Sequence, residues 1–525
     1  MCCECSDRLQ SVARSAGGFR GVLLFLVPML LVFPATSWPQ VISGLACYVA
    51  LDGADTNPGT LEKPWRTIQQ AAKTAKAGNT VYVRGGVYRE RVTIKVSGSA
   101  TEGMITFQNY PGEKAVVDGT GLSVPASENG LFLIAGRSYI VIKGFELRNY
   151  RTSTRNFVPV GINVRGRSHH IQIRNNKIHH IEHNGTSADG TDAHGIAVYG
   201  TVADASIHNL IIDGNELYAL KLGSSESLVV NGNVENFQIT RNKVHDNNNI
   251  GIDAIGFEGV SPDPATDQAR NGLIARNVVY NIDSYGNPAY GTDRSADGIY
   301  VDGGRNIVIE RNIVHHCNIG IELASEHSGR ATSSITVRNN FVYLNEVVGI
   351  AVGGYDQYRG STRNCTIVNN TLFRNNTLEW ENGELCLQYD TRNNIIKNNI
   401  FYASATAYGD HRGYFITNPF GQDASVPNIV DYNVYYIPGG ELSSQWQWKK
   451  QWYTGFAAYR TKTLNDAHSS FVDPLLVSTA TPNLHIRATS PAADAGQSLP
   501  ASGTVDIDGQ PRVKGTVDIG ADELQ

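Results

Sequence analysis

The chain of 525 residues is poor in methionine and cysteine and has no excess of basic residues. It contains 3 methionines and 7 cysteines, and 44 lysines and arginines stand against 49 acidic residues, a net charge of −5. The basic footprint of a nucleic-acid-binding protein is therefore missing. The cysteine content is also too low for a scaffold held together by disulfides.

Long apolar runs are almost absent, and the one that stands out, Val22 to Phe33, is twelve residues long. A membrane-spanning helix needs about 20 apolar residues, so this run is short for a span. Three arginines precede it, and small residues follow at positions 35–37. The pattern predicts a cleaved signal peptide over residues 1–37 and a secreted or periplasmic protein without a span in its mature part. An uncleaved anchor is the alternative.

Few cysteines remain after such cleavage: Cys47, Cys317, Cys365 and Cys386. Four cysteines allow three pairings, and the sequence does not decide among them.

Glycine and tyrosine are abundant, at 53 and 24 residues, whereas charged residues make up only 18% of the chain. A hydrophobic content of 41% is enough for a large core. This composition favours a β-rich protein with tight turns over a helical one.

One phrase recurs along the chain: a short run of alternating β-branched residues and, shortly after it, an asparagine. It first reads Ile171-Gln172-Ile173 followed by Asn176, and it returns at intervals of 27 to 39 residues. The asparagines are Asn176, Asn215, Asn242, Asn277, Asn312, Asn340, Asn370 and Asn399. Such short strands bury a face only by stacking on their neighbours, which predicts a solenoid. We expect the asparagines to be structural, as left-handed turn residues and as a side-chain ladder.

A second phrase, built around Gly-Ile, occurs once per predicted coil. Its copies span residues 194–200, 250–256, 297–303, 319–325 and 348–354, with a variant at 227–232. Alternation turns its isoleucines inward and the residues between them outward.

These phrases resemble the right-handed parallel β-helix of the pectin-lyase-like superfamily. The segments Tyr48–Gly53 and Tyr82–Tyr88 look like the opening of secreted β-helix polysaccharide enzymes, and 490–496 and 518–523 look like their ending. The resemblance implies an all-β parallel β-helix solenoid and a carbohydrate-related function.

The predicted organisation has four parts. A signal peptide (1–37) is followed by an N-terminal cap module (38–115), a β-helix catalytic domain (116–427) and a C-terminal β/loop capping region (428–525). Helical spacing of Ile68, Ala71, Ala72 and Ala75 predicts an amphipathic helix that caps the first coil. Trp446, Trp448 and Trp452 are interpreted as part of the packed tail, with sugar-stacking platforms as the alternative.

Acidic residues gather in the outward columns of the second phrase. Asp253, Tyr300 and Glu322 share one column, and Asp302 lies in the next. If the coils stack in register, Asp302 and Glu322 are diagonal neighbours with Cα atoms about 8 Å apart. Paired carboxylates on an exposed sheet face are what glycosidic hydrolysis requires. We therefore predict Asp302 and Glu322 as the catalytic pair, assisted by Asp253, in a spacing compatible with either stereochemical outcome.

Further residues of these strands and their adjoining turns are predicted to bind the glycan. They are His194, Tyr199, Asn231, Tyr300, Glu258, Glu326 and His327. Insertions at 257–271, 282–296 and 355–363 are expected to wall the groove, and they carry Tyr285, Tyr290, Tyr355 and Tyr358 as candidate subsite platforms.

Two other functions remain open. A calcium-dependent polysaccharide lyase would use Asp253, Asp297 and Asp302 as metal ligands, with Lys221, His194, Tyr199 or Tyr300 as the base. A β-helix that binds glycan or mediates adhesion without catalysis is the third possibility. The acidic groove would repel an anionic chain unless calcium were bound, which favours hydrolysis of a neutral or weakly charged polysaccharide without a cofactor. We also expect the protein to be a monomer.

Two histidine pairs, His179-His180 and His315-His316, follow asparagines at the same offset. We interpret them as repeat-bound turn residues, with metal binding as the alternative.

Overall fold

The computed structural model describes residues 45–127, 129–404, 412–421 and 426–525. The predicted signal peptide and its cleavage site lie outside these residues. The described chain winds into a right-handed parallel β-solenoid of about 13 turns, which confirms the predicted fold class. Among the residues described, no helix has the length and apolar character needed to cross a membrane.

Three parallel sheets run along the solenoid. Sheet 1 has sixteen strands: Ala46–Val49, Thr80–Val83, Ile105–Asn109, Ser138–Lys143, His169–Arg174, Ile207–Asp213, Val234–Thr240, Arg270–Ala275, Arg305–Glu310, Ala331–Ser333, Thr336–Arg338, Ser361–Arg363, Thr366–Val368, Thr391–Arg392, Ile395–Lys397 and Ile429–Asp431. Sheet 2 has thirteen: Gly86–Tyr88, Ala115–Asp118, Glu146–Thr152, Lys177–His183, Glu216–Tyr218, Lys243–Asn247, Val278–Ile282, Ile313–Cys317, Phe341–Tyr343, Thr371–Phe373, Ile400–Tyr402, Val434–Tyr436 and Ser470–Phe471. Sheet 3 has eleven: Val92–Thr93, Phe132–Ala135, Val160–Arg165, His194–Gly200, Leu228–Gly232, Ile252–Ile255, Asp297–Asp302, Ile319–Ala324, Val348–Val352, Leu385–Leu387 and Ile416–Thr417.

The remaining elements are short. The helices are Ile68–Thr74 and Phe456–Thr463, with 3-10 turns at Glu441–Ser443 and Pro500–Ser502. A three-stranded sheet contains Gly413–Tyr414, Ser444–Trp448 and Gln451–Thr454. A two-stranded sheet contains Leu476–Ser478 and Asn483–Ile486.

The predicted asparagine ladder lies at the corner between sheets 1 and 2. Asn277 is fully buried; its side chain donates to the Ile239 carbonyl at 2.9 Å and to Asn312 Oδ1 at 3.0 Å. Its own Oδ1 accepts from the backbone N–H of Asn242 at 2.9 Å. The same contacts repeat from Asn176 to Asn433. Each asparagine thus satisfies backbone groups of neighbouring coils, which holds those coils in register.

The left-handed conformation expected at these asparagines is instead adopted by the residue before each of them. Asn175 has φ 52° and Arg241 has φ 55°. The turn is made one residue earlier, so that the ladder asparagine itself points inward.

The glycine of the second phrase is required by the close stacking of sheet 3. A Cβ atom at Gly251 would lie 2.5 Å from the Gly298 carbonyl oxygen, and one at Gly298 would lie 2.8 Å from that of Gly320. Both distances are shorter than van der Waals contact allows. Isoleucines beside these glycines fill the core and are fully buried, as expected for the inward column.

The predicted N-terminal helix is present over Ile68–Thr74, with Ile68, Ala71 and Ala72 buried. Thr67 accepts from the Gln70 N–H at its start, and the Glu90 carboxylate accepts from the N–H groups of Ile68 and Gln69 at 2.8 Å. These contacts satisfy donors that the first turn leaves open.

The C-terminal segment returns along the outside of the solenoid. Asn339, Asn369 and Asn398 donate side-chain hydrogen bonds to carbonyls of Ser502, Asp518 and Gln497. The tail therefore covers the outer corner between sheets 1 and 2, whereas parallel strands such as Ile429–Asp431 and Val434–Tyr436 continue past residue 427.

The tryptophans of this region are largely packed. Trp446 is fully buried and stacks on Phe415 and Tyr459, with ring centroids 4.8 and 5.2 Å away, and Trp448 is 6% exposed. Only Trp452, at 38% exposure, presents a surface. The packed-tail interpretation therefore holds for Trp446 and Trp448.

The four cysteines of the described chain, Cys47, Cys317, Cys365 and Cys386, are free thiols.

Replacing a ladder asparagine should loosen two coils at once. We predict that Asn277→Ala lowers the free energy of unfolding by about 2–4 kcal/mol, because it leaves buried backbone groups of Asn242 and Ile239 without partners. Urea denaturation followed by circular dichroism measures this change.

The matched control is Asn281→Gly, because Asn281 has φ 52°, a left-handed conformation that glycine adopts without strain. Asn281 is exposed and donates only to Asp246 Oδ1 at 2.8 Å, so we expect a loss below about 1 kcal/mol. Equal effects of the two substitutions would show that the ladder does not hold the coils in register.

Candidate active site

The predicted acidic residues meet on three neighbouring strands of sheet 3. Asp253 pairs with Tyr300, and Tyr300 pairs with Glu322 on the following strand. Asp302 pairs with Ala324, so that Asp302 and Glu322 are diagonal neighbours. The register predicted from the sequence is confirmed at these positions.

The expectation that this face is exposed is wrong. The exposed fractions are 2% for Asp253, 2% for Asp297, 3% for Asp302 and 6% for Glu322. Tyr300, predicted to contact substrate, is 4% exposed. These acids face away from the solenoid core but lie beneath other parts of the chain, and their charges are therefore poorly solvated.

Two tyrosines from the predicted wall segments lie near the acids. Burial, with the charges of Glu226 and Glu326, raises the pKa of Tyr290 to about 12. Burial and the charge of Glu326 also raise the pKa of Tyr355. The Tyr290 hydroxyl accepts from Asn249 Nδ2 at 3.5 Å, and Arg359, whose guanidinium packs on the Tyr355 ring, lies 3.9 Å from Glu326, so both wall segments lie beside these strands.

The rim tyrosines remain partly accessible. Tyr285 is 54% exposed and Tyr355 is 44% exposed. The Arg294 guanidinium lies 4.5 Å from the Tyr285 ring centroid, and that of Arg359 lies 4.4 Å from the Tyr355 ring centroid. One face of each ring is thus occupied by a cation, which leaves at most the other face for a sugar.

Burial raises the pKa of every carboxyl in the cluster. It raises the pKa of Asp253, and the charges of Glu226 and Asp302 add to the effect. Burial also raises the pKa of Asp302, and the charge of Glu326 adds to this rise. For Glu322, burial raises the pKa to about 7. The cluster therefore holds protons at a pH where solvated carboxyls have lost them.

Asp297 and Glu322 lie on paired strands of sheet 3, and each affects the pKa of the other. Burial and the charge of Glu322 raise the pKa of Asp297, and the side-chain interaction between the two raises it further while opposing the rise at Glu322. Because each carboxyl affects the pKa of the other, the two titrate together. Gln388, with its amide nitrogen turned toward Glu322, donates to Oε1 at 3.2 Å.

Two buried oxygens of the cluster are left open. Asp253 Oδ1 and Asp297 Oδ1 have no hydrogen-bond partner within the described parts of the chain. Buried polar atoms normally have partners, so these two oxygens are suited to accept hydrogen bonds from a bound ligand.

His194 and Tyr199 lie on an earlier strand of sheet 3 and contact each other. The Tyr199 hydroxyl donates to His194 Nε2 at 3.1 Å, and His194 Nδ1 donates to the Glu226 carbonyl at 3.0 Å. Burial lowers the pKa of His194, which keeps the imidazole neutral. The pair fixes the ring in one tautomer, and Glu226 Oε2 lies 3.6 Å from Nδ1.

Of the remaining predicted residues, Glu258 and Glu326 are exposed, His327 is half-buried and Asn231 is buried. Asn231 donates to Glu258 Oε2 at 2.7 Å, and the Glu326 N–H donates to Asp302 Oδ1 at 2.7 Å. Glu258, Asp302 and His327 bring one ligand atom each to within 4.8 Å of one another.

The structure groups the potential metal ligands differently from the predicted calcium site. Among the described residues, the group of three potential ligands found here is Glu258, Asp302 and His327, and not the predicted set of Asp253, Asp297 and Asp302. Calcium takes six to eight oxygen ligands, whereas this group offers two carboxylates and an imidazole. These three side chains alone supply fewer oxygens than calcium takes, so a calcium ion here would need further ligands from carbonyl groups or water.

Lys221, a candidate base for a lyase, lies elsewhere. It is exposed, donates to Asn184 Oδ1 at 3.2 Å, and lines a cavity of about 700 Å³ to which none of the four cluster acids contributes. The sheet-3 site thus has no lysine from this position.

Sequence reasoning missed Glu226. Its carboxyl is 9% exposed, and burial followed by the charge of Glu258 raises its pKa. It precedes Leu228 by two residues, as Asp297 precedes Ile299 and His194 precedes Ile196, and these three apolar residues occupy one column of sheet 3. This shared position, two residues before the apolar column, could have identified Glu226 from the sequence.

Comparison with known proteins supports the architecture. Residues 47–213 match the family described as "Pel9A-like, right handed beta helix region", and residues 160–372 match "Right handed beta helix region". The uncharacterized protein YwoF of Bacillus subtilis (strain 168) is 41% identical over 473 residues, which is 90% of this chain and 97% of YwoF.

More distant similarities have known names. Pectate lyase PEL9 of Emericella nidulans is 28% identical over 218 residues, covering 35% of this chain and 52% of that enzyme. The solved complex of XylC with xylose is 13% identical, with a TM-score of 0.48, and covers 91% of this chain and 98% of XylC. The chain belongs to the pectin-lyase-like superfamily of right-handed parallel β-helix proteins and, within it, to the family of YwoF.

Proposed function

We propose that this protein is a secreted glycoside hydrolase that degrades a neutral or weakly charged polysaccharide. Glu322 acts as the general acid, and Asp302 acts as the nucleophile or as the base that activates water. The observation that carries the proposal is the group of buried carboxyls that the register of sheet 3 brings together from neighbouring coils.

A general acid must hold a proton at the working pH and deliver it to the glycosidic oxygen. Burial raises the pKa of Glu322 to about 7, and Asp297 titrates together with it. Asp297 is therefore a positioning residue that keeps the pair protonated while a substrate is bound.

Asp302 is suited to carry the negative charge. Burial raises its pKa, but the Glu326 N–H opposes this rise by donating to Oδ1 at 2.7 Å. Closely spaced carboxyls ionise one at a time. Burial raises the pKa of Asp302 further than that of Glu322, so the assignment of the charge to Asp302 rests on the fixed backbone donor of Glu326 and not on the order of the pKa values. A single ionised carboxyl among protonated neighbours is the state that acid and nucleophile chemistry requires.

The charge of the site favours a neutral glycan. Asp253, Asp297, Asp302 and Glu322 form no ion pair with lysine, arginine or histidine within the described residues, and Arg359, at 3.9 Å from Glu326, lies at the edge. An anionic chain would meet acids without a neutralising cation.

A polysaccharide lyase is the second candidate, because residues 47–213 match a Pel9A-like family and one relative is a pectate lyase. That match ends before the strands that carry Asp253, Asp302 and Glu322. β-Elimination also needs a cation at the uronate carboxylate, and within the described residues no lysine or arginine pairs with the four acids, so that cation would have to be a bound metal ion.

We predict that Glu322→Gln and Asp302→Asn each lower kcat for release of reducing ends about 10²–10⁴-fold, since each removes one proton-transfer or nucleophilic group. Asparagine at 302 can still accept from the Glu326 N–H, so the fold should be preserved. A panel of neutral and uronate polysaccharides, scored for reducing ends and for unsaturated products, measures the effect.

Glu310→Gln is the matched control. Glu310 lies on sheet 1 and pairs with Arg338 at 2.7 Å, so its variant should retain full activity. Unsaturated products that vanish with chelator would assign the protein as a lyase instead. Glycan retention without turnover, unchanged in both site variants, would show a binding protein.

The pH dependence follows from the proton held at Glu322. The folded protein binds a proton at Glu322 that the unfolded chain releases above the ordinary pKa of 4.5. This contribution to stability is complete below pH 4.5 and is lost as pH rises through about 7. We predict that kcat/KM falls as pH rises through about 7. Between pH 4.5 and about 7, the free energy of unfolding of wild type should fall by on the order of 3 kcal/mol relative to that of Glu322→Gln.

Thermal unfolding and activity between pH 4 and 9 check this sign. A stability difference that is flat with pH, or activity that rises through pH 7, would mean that Glu322 is ionised in the folded protein and is not the acid.

A further inference from the structure

Three histidines meet on the outer face of sheet 1, on a different sheet from the acidic site. His169 begins the strand His169–Arg174, and His208 pairs with it on the next coil. Their rings stack with centroids 5.1 Å apart. His170 adopts φ 54°, a left-handed conformation that breaks strand alternation and turns its ring toward that of His169.

The ring nitrogens converge. His169 Nδ1 and His170 Nδ1 lie 2.8 Å apart, and one nitrogen from each of the three rings lies within 4.8 Å of the others. All three side chains are half-buried, so an ion can reach them from solvent.

A backbone contact sets the tautomer of His208. Its Nδ1 donates to the Ser206 carbonyl at 3.1 Å, which leaves the lone pair on Nε2. Metal-bound histidines characteristically donate their other nitrogen to a carbonyl or carboxylate in this way.

The other histidine pairs separate what the fold imposes from what is special here. In His179-His180 and His315-His316 the two Nδ1 atoms are also 2.7 Å apart. However, the next coil places a tyrosine opposite His179 and His315, namely Tyr218 and Tyr343. The turn alone therefore produces a close pair of histidine rings. Of these three pairs, only His169-His170 has a third imidazole, that of His208, opposite it on the next coil.

We propose that His169, His170 and His208 form a binding site for a divalent transition-metal ion, with Zn²⁺ as the ion that best matches a three-imidazole donor set. Three histidines and one water complete the tetrahedral coordination that zinc adopts. At Zn–N distances of about 2.0–2.1 Å, ligand nitrogens lie roughly 3.4 Å apart, which falls between the distances found here. Asn209 Nδ2 lies 3.1 Å from His170 Nε2, so this amide must turn its oxygen toward Nε2–H when His170 ligates the ion through Nδ1. The bound ion joins two coils and stabilises their register.

Isothermal titration with Zn²⁺, on the full chain made without a polyhistidine tag and stripped by chelator, tests the site. We expect wild type to bind one more equivalent than His208→Gln, and Zn²⁺ to raise the Tm of wild type more than that of the variant. Co²⁺ should give the visible absorption of tetrahedral coordination in wild type only. The difference in bound equivalents between wild type and variant is used because the groups that contain His327 and His485 could also bind Zn²⁺ in both proteins.

His316→Asn is the matched control, because it removes one ring of an exposed pair and asparagine tolerates the left-handed conformation. It should bind like wild type. Unchanged binding in His208→Gln, or equal loss in His316→Asn, would overturn the proposal. Metal-free Tm and circular dichroism equal to wild type show that His208→Gln is folded.

Discussion

In-register stacking of the coils is the constraint on which the acidic site depends. Asp253, Asp302 and Glu322 belong to different coils, and only the pairing of Asp253 with Tyr300 and of Tyr300 with Glu322 brings them together. The buried asparagine ladder enforces that register, because each side chain satisfies backbone groups of adjacent coils. A slip by one residue would turn the acids toward the core.

The site is held against an electrostatic penalty. Buried carboxyls in mutual contact favour unfolding unless they are protonated, and burial raises the pKa of each of them. The long solenoid, with its continuous apolar core and ladder, supplies the stability that tolerates this local cost. Strained or electrostatically unfavourable groups are typical of sites that perform chemistry.

Much of the architecture was predictable from the sequence, because repetition reports register directly. The asparagine phrase predicted the ladder, and the Gly-Ile phrase predicted the column of Asp253, Tyr300 and Glu322. Burial of that column was not predictable, since the covering segments with Tyr290 and Tyr355 have no periodicity from which to derive their path.

Other features escaped for related reasons. Glu226 lies on the coil whose phrase lacks the Gly-Ile pair, so its column was not recognised. The effect of Asp297 on the pKa of Glu322 depends on side-chain direction at the start of a strand, where alternation does not apply. His208 belongs to a loose copy of the repeat, and the C-terminal tail, which packs along the outer corner, follows no repeat.

The central claim is that the buried carboxyls retain protons at neutral pH. Infrared difference spectroscopy of the carboxyl carbonyl stretch, recorded across a pH titration in wild type and Glu322→Gln, measures this directly. The account predicts protonated-carboxyl bands at pH 7 in wild type and the loss of intensity in the variant, with a titration midpoint near the Glu322 pKa of about 7. A spectrum without protonated carboxyls above pH 5 would contradict it.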